Sequence, residues 1–241
     1  MKKKSAVFIL TLAALFTVAC ANNHNCCCKS SGQESSICTD SPVEARMRAA
    51  GLVDIHDKDS TIAVHLVYAT PYNFMGKVLY NDMSKAFMIE DMADKFVKAN
   101  RLLKSIRPDV NLLIYDACRP ISVQWDMWEM VKGTDNEDFV ANPERARGLH
   151  NYGAAVDVTL MDCTGRPLPM GSEYDYFGKD ARTDCEAELL STGRITSREL
   201  ENRLLLRRVM TECGFLTIKS EWWHFNYVTA DEAAERFKVI D

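Results

Sequence analysis

The chain has 241 residues and a formal charge of -5, with 47% hydrophobic and 26% charged residues. That balance excludes a general nucleic-acid binder, which needs a basic surplus to neutralise phosphates. It also excludes disorder over most of the length, because there is ample apolar material to bury, and one core in one domain is the expectation at this size.

Residues 1–19 read as an address. Lys2, Lys3 and Lys4 form a basic start, and Ala6 to Ala19 is an uncharged apolar run. The run is too short for a spanning helix and fits the hydrophobic part of a secretory signal. It ends in Thr17-Val18-Ala19-Cys20, which resembles the lipobox of bacterial lipoproteins, with Thr17 where Leu is usual. The resemblance implies cleavage before Cys20 and lipidation of its sulfur. The expected location is therefore the periplasmic or cell-envelope face, with the membrane held through an N-terminal lipid anchor and no transmembrane segment left. Each buried CH₂ of such an anchor contributes about 0.8 kcal/mol. Without residues 1–19 the chain keeps 26 basic and 34 acidic residues, a net charge of -8. Residues 20–41 are polar and read as a flexible tether. His24, Cys26, Cys27 and Cys28 sit in it. We read them as incidental rather than as a metal site, because three adjacent Cys wrap one tetrahedral ion poorly.

The folded domain is expected over residues 42–241. Thr61 to Tyr68 alternates and suits a strand. Met88 to Ile106 carries Met92, Phe96, Leu103 and Ile106 at helical spacing, and Arg107-Pro108 ends it. Val110 to Tyr115 is a short buried strand, and Ser122 to Val131 a helix stopped by Gly133. Ala154 to Leu160 alternates, with Val156, Val158 and Leu160 on the core face and Ala155, Asp157 and Thr159 opposite. Thr196 and Glu199 form a capping box for a helix bearing Leu200, Leu204 and Met210, with Gly214 as its stop. Phe215 to Ile218 and Trp222 to Val228 are the last strands. Strands and helices do not alternate regularly, which predicts α+β with a mostly antiparallel central sheet flanked by helices.

Three segments carry chemistry. In the first, Asp157 points off a rigid strand, and His150 lies just upstream of Gly153, which lets the chain turn back closely. An imidazole and a carboxylate are both good zinc ligands. The second, Glu221-Trp222-Trp223-His224, offers His224 as a third ligand and Glu221 as a base beside the metal. A strict strand sends positions three apart to opposite faces, so a bulge or bend near Trp222 is required. Two His and one Asp leave a fourth zinc position for water, which Glu221 can deprotonate. The third, Asp116-Ala117-Cys118-Arg119-Pro120, follows a strand. Arg119 can hold the oxyanion of an attacked amide, and Asp116 either braces Arg119 or caps the next helix. His56 and His65 read as packed or exposed rather than metal-bound. The four tryptophans read as core or pocket wall.

Together these pieces resemble the zinc D-alanyl-D-alanine dipeptidases (the VanX-like family). The family pattern Ser-x-His-x-x-Gly-x-Ala-x-Asp is met by residues 148–157 except that Gly148 stands for the Ser. Glu221 to His224 match Glu-Trp-Trp-His, and Arg119-Pro120 matches the Arg-Pro after a strand. Tyr68-Ala69-Thr70 with Asn73-Phe74-x-Gly76, and Pro169-Met170-Gly171-Ser172 with Tyr174-Asp175, are also similar. The resemblance covers roughly residues 50–230. It implies an α+β fold shared with D,D-carboxypeptidases and the hedgehog signalling domain. It further implies one Zn²⁺ per chain on His150, Asp157 and His224, Glu221 as general base, Arg119 on the oxyanion, and Asp175 holding the ammonium of a small dipeptide substrate. Three functions follow as expectations. The first is zinc-dependent hydrolysis of D-alanyl-D-alanine in cell-wall peptide turnover. The second is a D,D- or L,D-carboxypeptidase acting on peptidoglycan peptides. The third is a non-catalytic zinc-containing envelope module, against which Glu221 argues. Export permits disulfides among Cys118, Cys163, Cys185 and Cys213, and a Cys163–Cys185 bridge would staple the segment that carries Asp175.

Overall fold

The computed structural model describes residues 39–144 and 148–241. The signal-like start, Cys20 and the Cys26–Cys28 run lie outside the described residues. A helix α1 (Pro42–Ala49) leads to strand β1 (Leu52–Asp54), the single turn α2 (Ile55–Lys58) and strand β2 (Ala63–Val64). Strand β3 (Phe87–Ile89) runs directly into helix α3 (Glu90–Ile106). Then come β4 (Val110–Asp116), α4 (Ile121–Val131), β5 (Ala155–Asp162), α5 (Glu186–Ser191), α6 (Ser197–Glu212), β6 (Leu216–Thr217), β7 (His224–Asn226) and α7 (Ala230–Arg236).

Five strands form the central sheet in the order β2-β4-β5-β7-β6, and β1 pairs with β3 as a separate antiparallel ribbon. Only the β2–β4 pair is parallel; the other three pairs are antiparallel. The fold is thus α+β with a mostly antiparallel sheet. Helices α3 and α6 lie against each other and against β4 and β5. They bury Phe96, Leu103, Leu206, Val209 and Met210 with Leu112, Ile114, Val156, Val158 and Leu160. Each such side chain contributes about 1.5–3 kcal/mol on leaving water. Among the described residues, no helix is long and apolar enough to cross a membrane.

Several elements differ from the sequence reading, each for a local reason. The strand expected over Thr61 to Tyr68 is only β2, because the chain then coils into a 3-10 turn, Val67–Ala69, that buries Tyr68. Helix α3 starts at Glu90 because Met88 is taken by pairing with Val53. The capping box of α6 is formed by Thr196 and Glu199. Its core face, however, runs through Asn202, Leu206, Val209 and Met210, and this leaves Leu204 exposed. Trp125 is likewise exposed, whereas Trp128, Trp222 and Trp223 are buried. Cys118, Cys185 and Cys213 carry free thiols, so the Cys163–Cys185 staple is not formed. Cys185 instead caps α5 by position, and its thiol donates to the Lys179 carbonyl at 3.6 Å.

Candidate active site

Strand register builds the centre of the site. A register shift between Ile114 and Asp116 sets Asp116 opposite Asp157, and on the other side Asp157 pairs with His224. Cross-strand partners stand about 4.5–5.5 Å apart, so three polar residues line up across β4, β5 and β7. Both faces of β5 are covered: every residue from Ala155 to Leu160 is buried, Asp157 included. Asp157 therefore works in a low-dielectric pocket rather than on an open sheet face.

His150 comes from a 3-10 turn, Leu149–Tyr152, that ends at Gly153 with φ 66°. A side chain there would be strained, and its Cβ would press on Leu52 at 3.0 Å. The turn is tied to the strap after β4 by three bonds. Arg119 N–H donates to the His150 carbonyl (3.0 Å), His150 Nδ1 to the Ala117 carbonyl (2.7 Å), and Asn151 Nδ2 to the Arg119 carbonyl (3.0 Å).

A carbonyl only accepts, so Nδ1 of His150 carries the proton and Nε2 presents its lone pair. His224 is turned the other way round. Its Nε2 donates to the Asn226 side-chain oxygen at 2.7 Å, which leaves Nδ1 facing Asp157. His150 Nε2 lies 3.2 Å from His224 Nδ1 and 3.3 Å from Asp157 Oδ1, and His224 Nδ1 lies 3.0 Å from the same oxygen. Two zinc ligands at about 2.0–2.1 Å subtend a tetrahedral edge of about 3.3 Å, so the triangle fits one face of such a site. Among the described residues, this is the one group of His, Cys, Asp or Glu able to hold a metal ion. The field inside the triangle favours positive charge. Burial opposes protonation of His224, yet the hydrogen bond and charge of Asp157 carry its pKa up to about 9. Burial likewise works against the Asp157 carboxylate, and His150 and His224 outweigh it, holding Asp157 well below the usual carboxylate range.

Glu221 sits in the bend before β7, and its Oε2 is 3.9 Å from His224 Nδ1. The bend supplies the change of direction that the spacing of Glu221 and His224 demands, because β7 starts only at His224. Burial raises the Glu221 pKa, with Asp157 adding to the rise and His224 opposing it. Asp116 braces Arg119 rather than capping α4, which starts without a side-chain cap bond. Its Nε and Nη2 donate to Asp116 Oδ2 at 3.0 and 2.7 Å, and its Nη1 to Gln124 Oε1 at 2.9 Å. Asp116 also accepts from Tyr80 (2.7 Å) and from the Ala117 N–H. Burial disfavours the guanidinium charge, and the Asp116 carboxylate more than restores it. Arg119 Nη2 reaches to 4.0 Å from Asp157 Oδ2. His56 binds the Ile62 carbonyl and His65 stacks edge-on against Tyr115, both away from this cluster.

His150, Asp157, His224, Glu221, Arg119 and Asp175 line one cavity of about 320 Å³. The model of the D-ala-D-ala dipeptidase family matches residues 48–240. The chain belongs to this family. It is a hydrolase, a dipeptidase by kinship. Among its relatives, the D-alanyl-D-alanine dipeptidase of Escherichia coli K12 is 29% identical over 174 residues, covering 72% of this chain and 83% of the relative. That of Enterococcus faecium is 30% identical over 182 residues, covering 68% and 84%. That of Synechocystis is 29% identical over 158 residues, covering 54% and 64%.

Against this family background the remaining contacts of the cavity gain meaning. Asp175 has φ 59°, the one non-glycine residue with positive φ among the described residues. Its Oδ1 accepts from Tyr68 at 3.0 Å, while Oδ2 is buried without a partner. Burial, reinforced by the charge of Asp157, raises its pKa well above the carboxylate range. Phe139 stacks on Phe177 at 5.0 Å, and Phe74 tilts against Phe177 at 4.9 Å, so three segments wall this side of the cavity. Sequence reasoning missed Gln124, Tyr174 and Asn226 as parts of the site. Asn226 was findable, since it stands two residues after His224 on the same strand face. Tyr174 lies in a segment already matched to the family pattern, but its bond to Asp157 was not foreseen, and Gln124 gives no local signal, because these partners come from other elements.

Proposed function

We propose that this dipeptidase hydrolyses D-alanyl-D-alanine to two D-alanines, with one zinc ion per chain held by His150 Nε2, Asp157 Oδ1 and His224 Nδ1. The observation that carries the reading is the closed triangle of these three atoms with Glu221 beside it in one small cavity. Zinc, when bound there, lowers the pKa of a water from 15.7 towards about 7 and polarises a carbonyl. Glu221 accepts a proton from the attacking water and returns it to the departing amine. The C–N bond thus breaks after the C–O bond has formed, and the amine leaves neutral. The raised pKa of Glu221 suits a group that must hold that proton between the two steps.

Arg119 faces the carbonyl oxygen as negative charge gathers on it. Asp116 and Gln124 fix the guanidinium beforehand, so no reorganisation is spent at the moment of reaction, and loss of such a donor typically lowers the rate by about 10²–10³. Asp175 takes the free ammonium of the substrate on its unpartnered oxygen. A blocked amine would supply no charge to hold Asp175 ionised in its buried place, and this favours a free dipeptide over a wall-peptide tail. The phenylalanine wall points the same way, because it limits length on that side.

Zinc-loaded protein incubated with D-alanyl-D-alanine is expected to release D-alanine, whereas N-acetyl-D-alanyl-D-alanine is expected to be inert. Turnover of the acetylated peptide would favour the carboxypeptidase reading instead. Glu221→Ala is expected to keep zinc and lose turnover, and retained turnover would remove Glu221 from the reaction. The envelope setting belongs to the same proposal: residues 1–19 direct export and Cys20 carries the lipid. A Cys20→Ala variant is expected to lose labelling by radioactive palmitate, and an unlabelled wild type would remove the anchor.

A further inference from the structure

Asp157 has two carboxylate oxygens, and only Oδ1 faces the two imidazoles. The other, Oδ2, accepts the phenolic O–H of Tyr174 at 2.9 Å. The Tyr174 ring is itself fixed, packed at 5.1 Å from Tyr115, 5.3 Å from Trp223 and 6.2 Å from Tyr68. Its place in the chain is enforced from both ends. Arg203 of α6, wholly buried, donates through Nε to the Met170 carbonyl (2.5 Å) and through Nη2 to the Asp180 carbonyl (2.6 Å). Neighbouring side chains on an extended chain point to opposite sides. The left-handed turn at Asp175 breaks that rule, so that Tyr174 reaches Asp157 while Asp175 meets Tyr68.

We propose that Tyr174 is a positioning residue that holds Asp157 as a one-oxygen metal ligand, an inference resting on the zinc site proposed above. A carboxylate free to swing can offer both oxygens to the same cation. The second oxygen would then crowd the position that the attacking water needs. The Tyr174 hydroxyl occupies that oxygen with a directional bond, and the aromatic packing around the ring prevents the bond from following a rotated carboxylate. Partners of this kind, one shell out from a metal, commonly change affinity or activity by about 10–100-fold.

The test uses the full chain with Tyr174→Phe, which removes one oxygen and keeps the ring contacts. Zinc affinity, measured by competition with a chromophoric chelator, is expected to fall about 10–100-fold. The visible spectrum of the cobalt(II)-loaded variant is expected to weaken as coordination rises above four, and kcat on the dipeptide to fall more than KM rises. The melting midpoint without metal is expected to fall by only about 2–4 °C, the loss of one buried hydrogen bond. Tyr115→Phe, which removes a hydroxyl from the same aromatic cluster without touching Asp157, is expected to match wild type in all four measurements. Wild-type zinc affinity together with a wild-type cobalt spectrum in Tyr174→Phe would overturn the proposal. A wild-type protein that binds neither zinc nor cobalt would overturn the metal reading itself, and is told apart by the unmutated control.

Discussion

Gly148 stands where the family pattern has a Ser, and its surroundings show what that hydroxyl would meet. The backbone there is extended (φ -63°, ψ 149°), which any residue adopts. An added Cβ would lie 3.5 Å from Ala141 Cβ and 3.6 Å from Asn151 Oδ1, ordinary contacts. Asn151 Oδ1 is buried and has no partner. Gly148→Ser is therefore expected to stabilise the protein by about 1 kcal/mol, since an unpaired buried acceptor gains a donor. That is a rise of about 2–4 °C in melting midpoint for a chain of this size, readable by calorimetry. At Asp175 the separable property is charge. Asn tolerates the left-handed conformation nearly as well as Asp, so Asp175→Asn is expected to fold normally. A charged hydrogen bond contributes about 1.5–3 kcal/mol, so kcat/KM for the dipeptide is expected to fall about 10- to 150-fold, mostly through KM. An unchanged KM would remove Asp175 from substrate binding.

Elements matter here chiefly as rulers. Pairing of β4, β5 and β7 places Asp116, Asp157 and His224 side by side, and one register shift next to Asp116 completes the row. A slip of one residue would turn Asp157 to the opposite face and dissolve the site. Helix α6 performs a different task. Its Arg203 is fully buried against the sheet and spends its donors on the carbonyls of Met170, Asp180 and Arg182, while Asn202 holds Pro169. The segment carrying Tyr174 and Asp175 thus has no regular structure of its own and borrows rigidity from a helix. Arg203→Met is expected to cost about 2–3 kcal/mol, because one buried and two part-buried carbonyls lose a charged donor. Hydrogen exchange should quicken over residues 169–182 while the amides of β4 and β5 keep their protection. Uniform loosening across the sheet would refute this local role.

At the scale of the whole molecule, the proposed zinc ion ties β5, β7 and the 3-10 turn of His150 into one body. A ligand that binds only the folded state stabilises it by about 2.7 kcal/mol at one hundred times its dissociation constant. Zinc at that level is expected to raise the melting midpoint by roughly 5–10 °C over chelator-treated protein. Glu221→Ala should show the same rise and His224→Ala almost none, which separates holding the metal from using it. An equal rise in all three would place the zinc elsewhere.

The α+β class, the course of β4 and β5, the capped start of α6 and the five residues of the proposed zinc site were legible in the chain. Each is announced by local chemistry: alternation, a capping box, or a His, Glu or Arg in a distinctive spacing. The ribbon of β1 and β3, the helices α1 and α7 and the true core face of α6 were not, because short or weakly patterned segments take their structure from what they pack against. The tautomer of each imidazole, the brace of Gln124 on Arg119 and the bond from Tyr174 to Asp157 were beyond reach for a related reason. Apart from Asn226, which sets the His224 tautomer from two positions away, their partners are separated by 5 to 33 positions along the chain and meet only once the sheet has closed. Sequence determined which groups could do the chemistry. Tertiary structure decided which imidazole nitrogens face Asp157, since that is set by hydrogen bonds to the rings and by the register that brings the strands together.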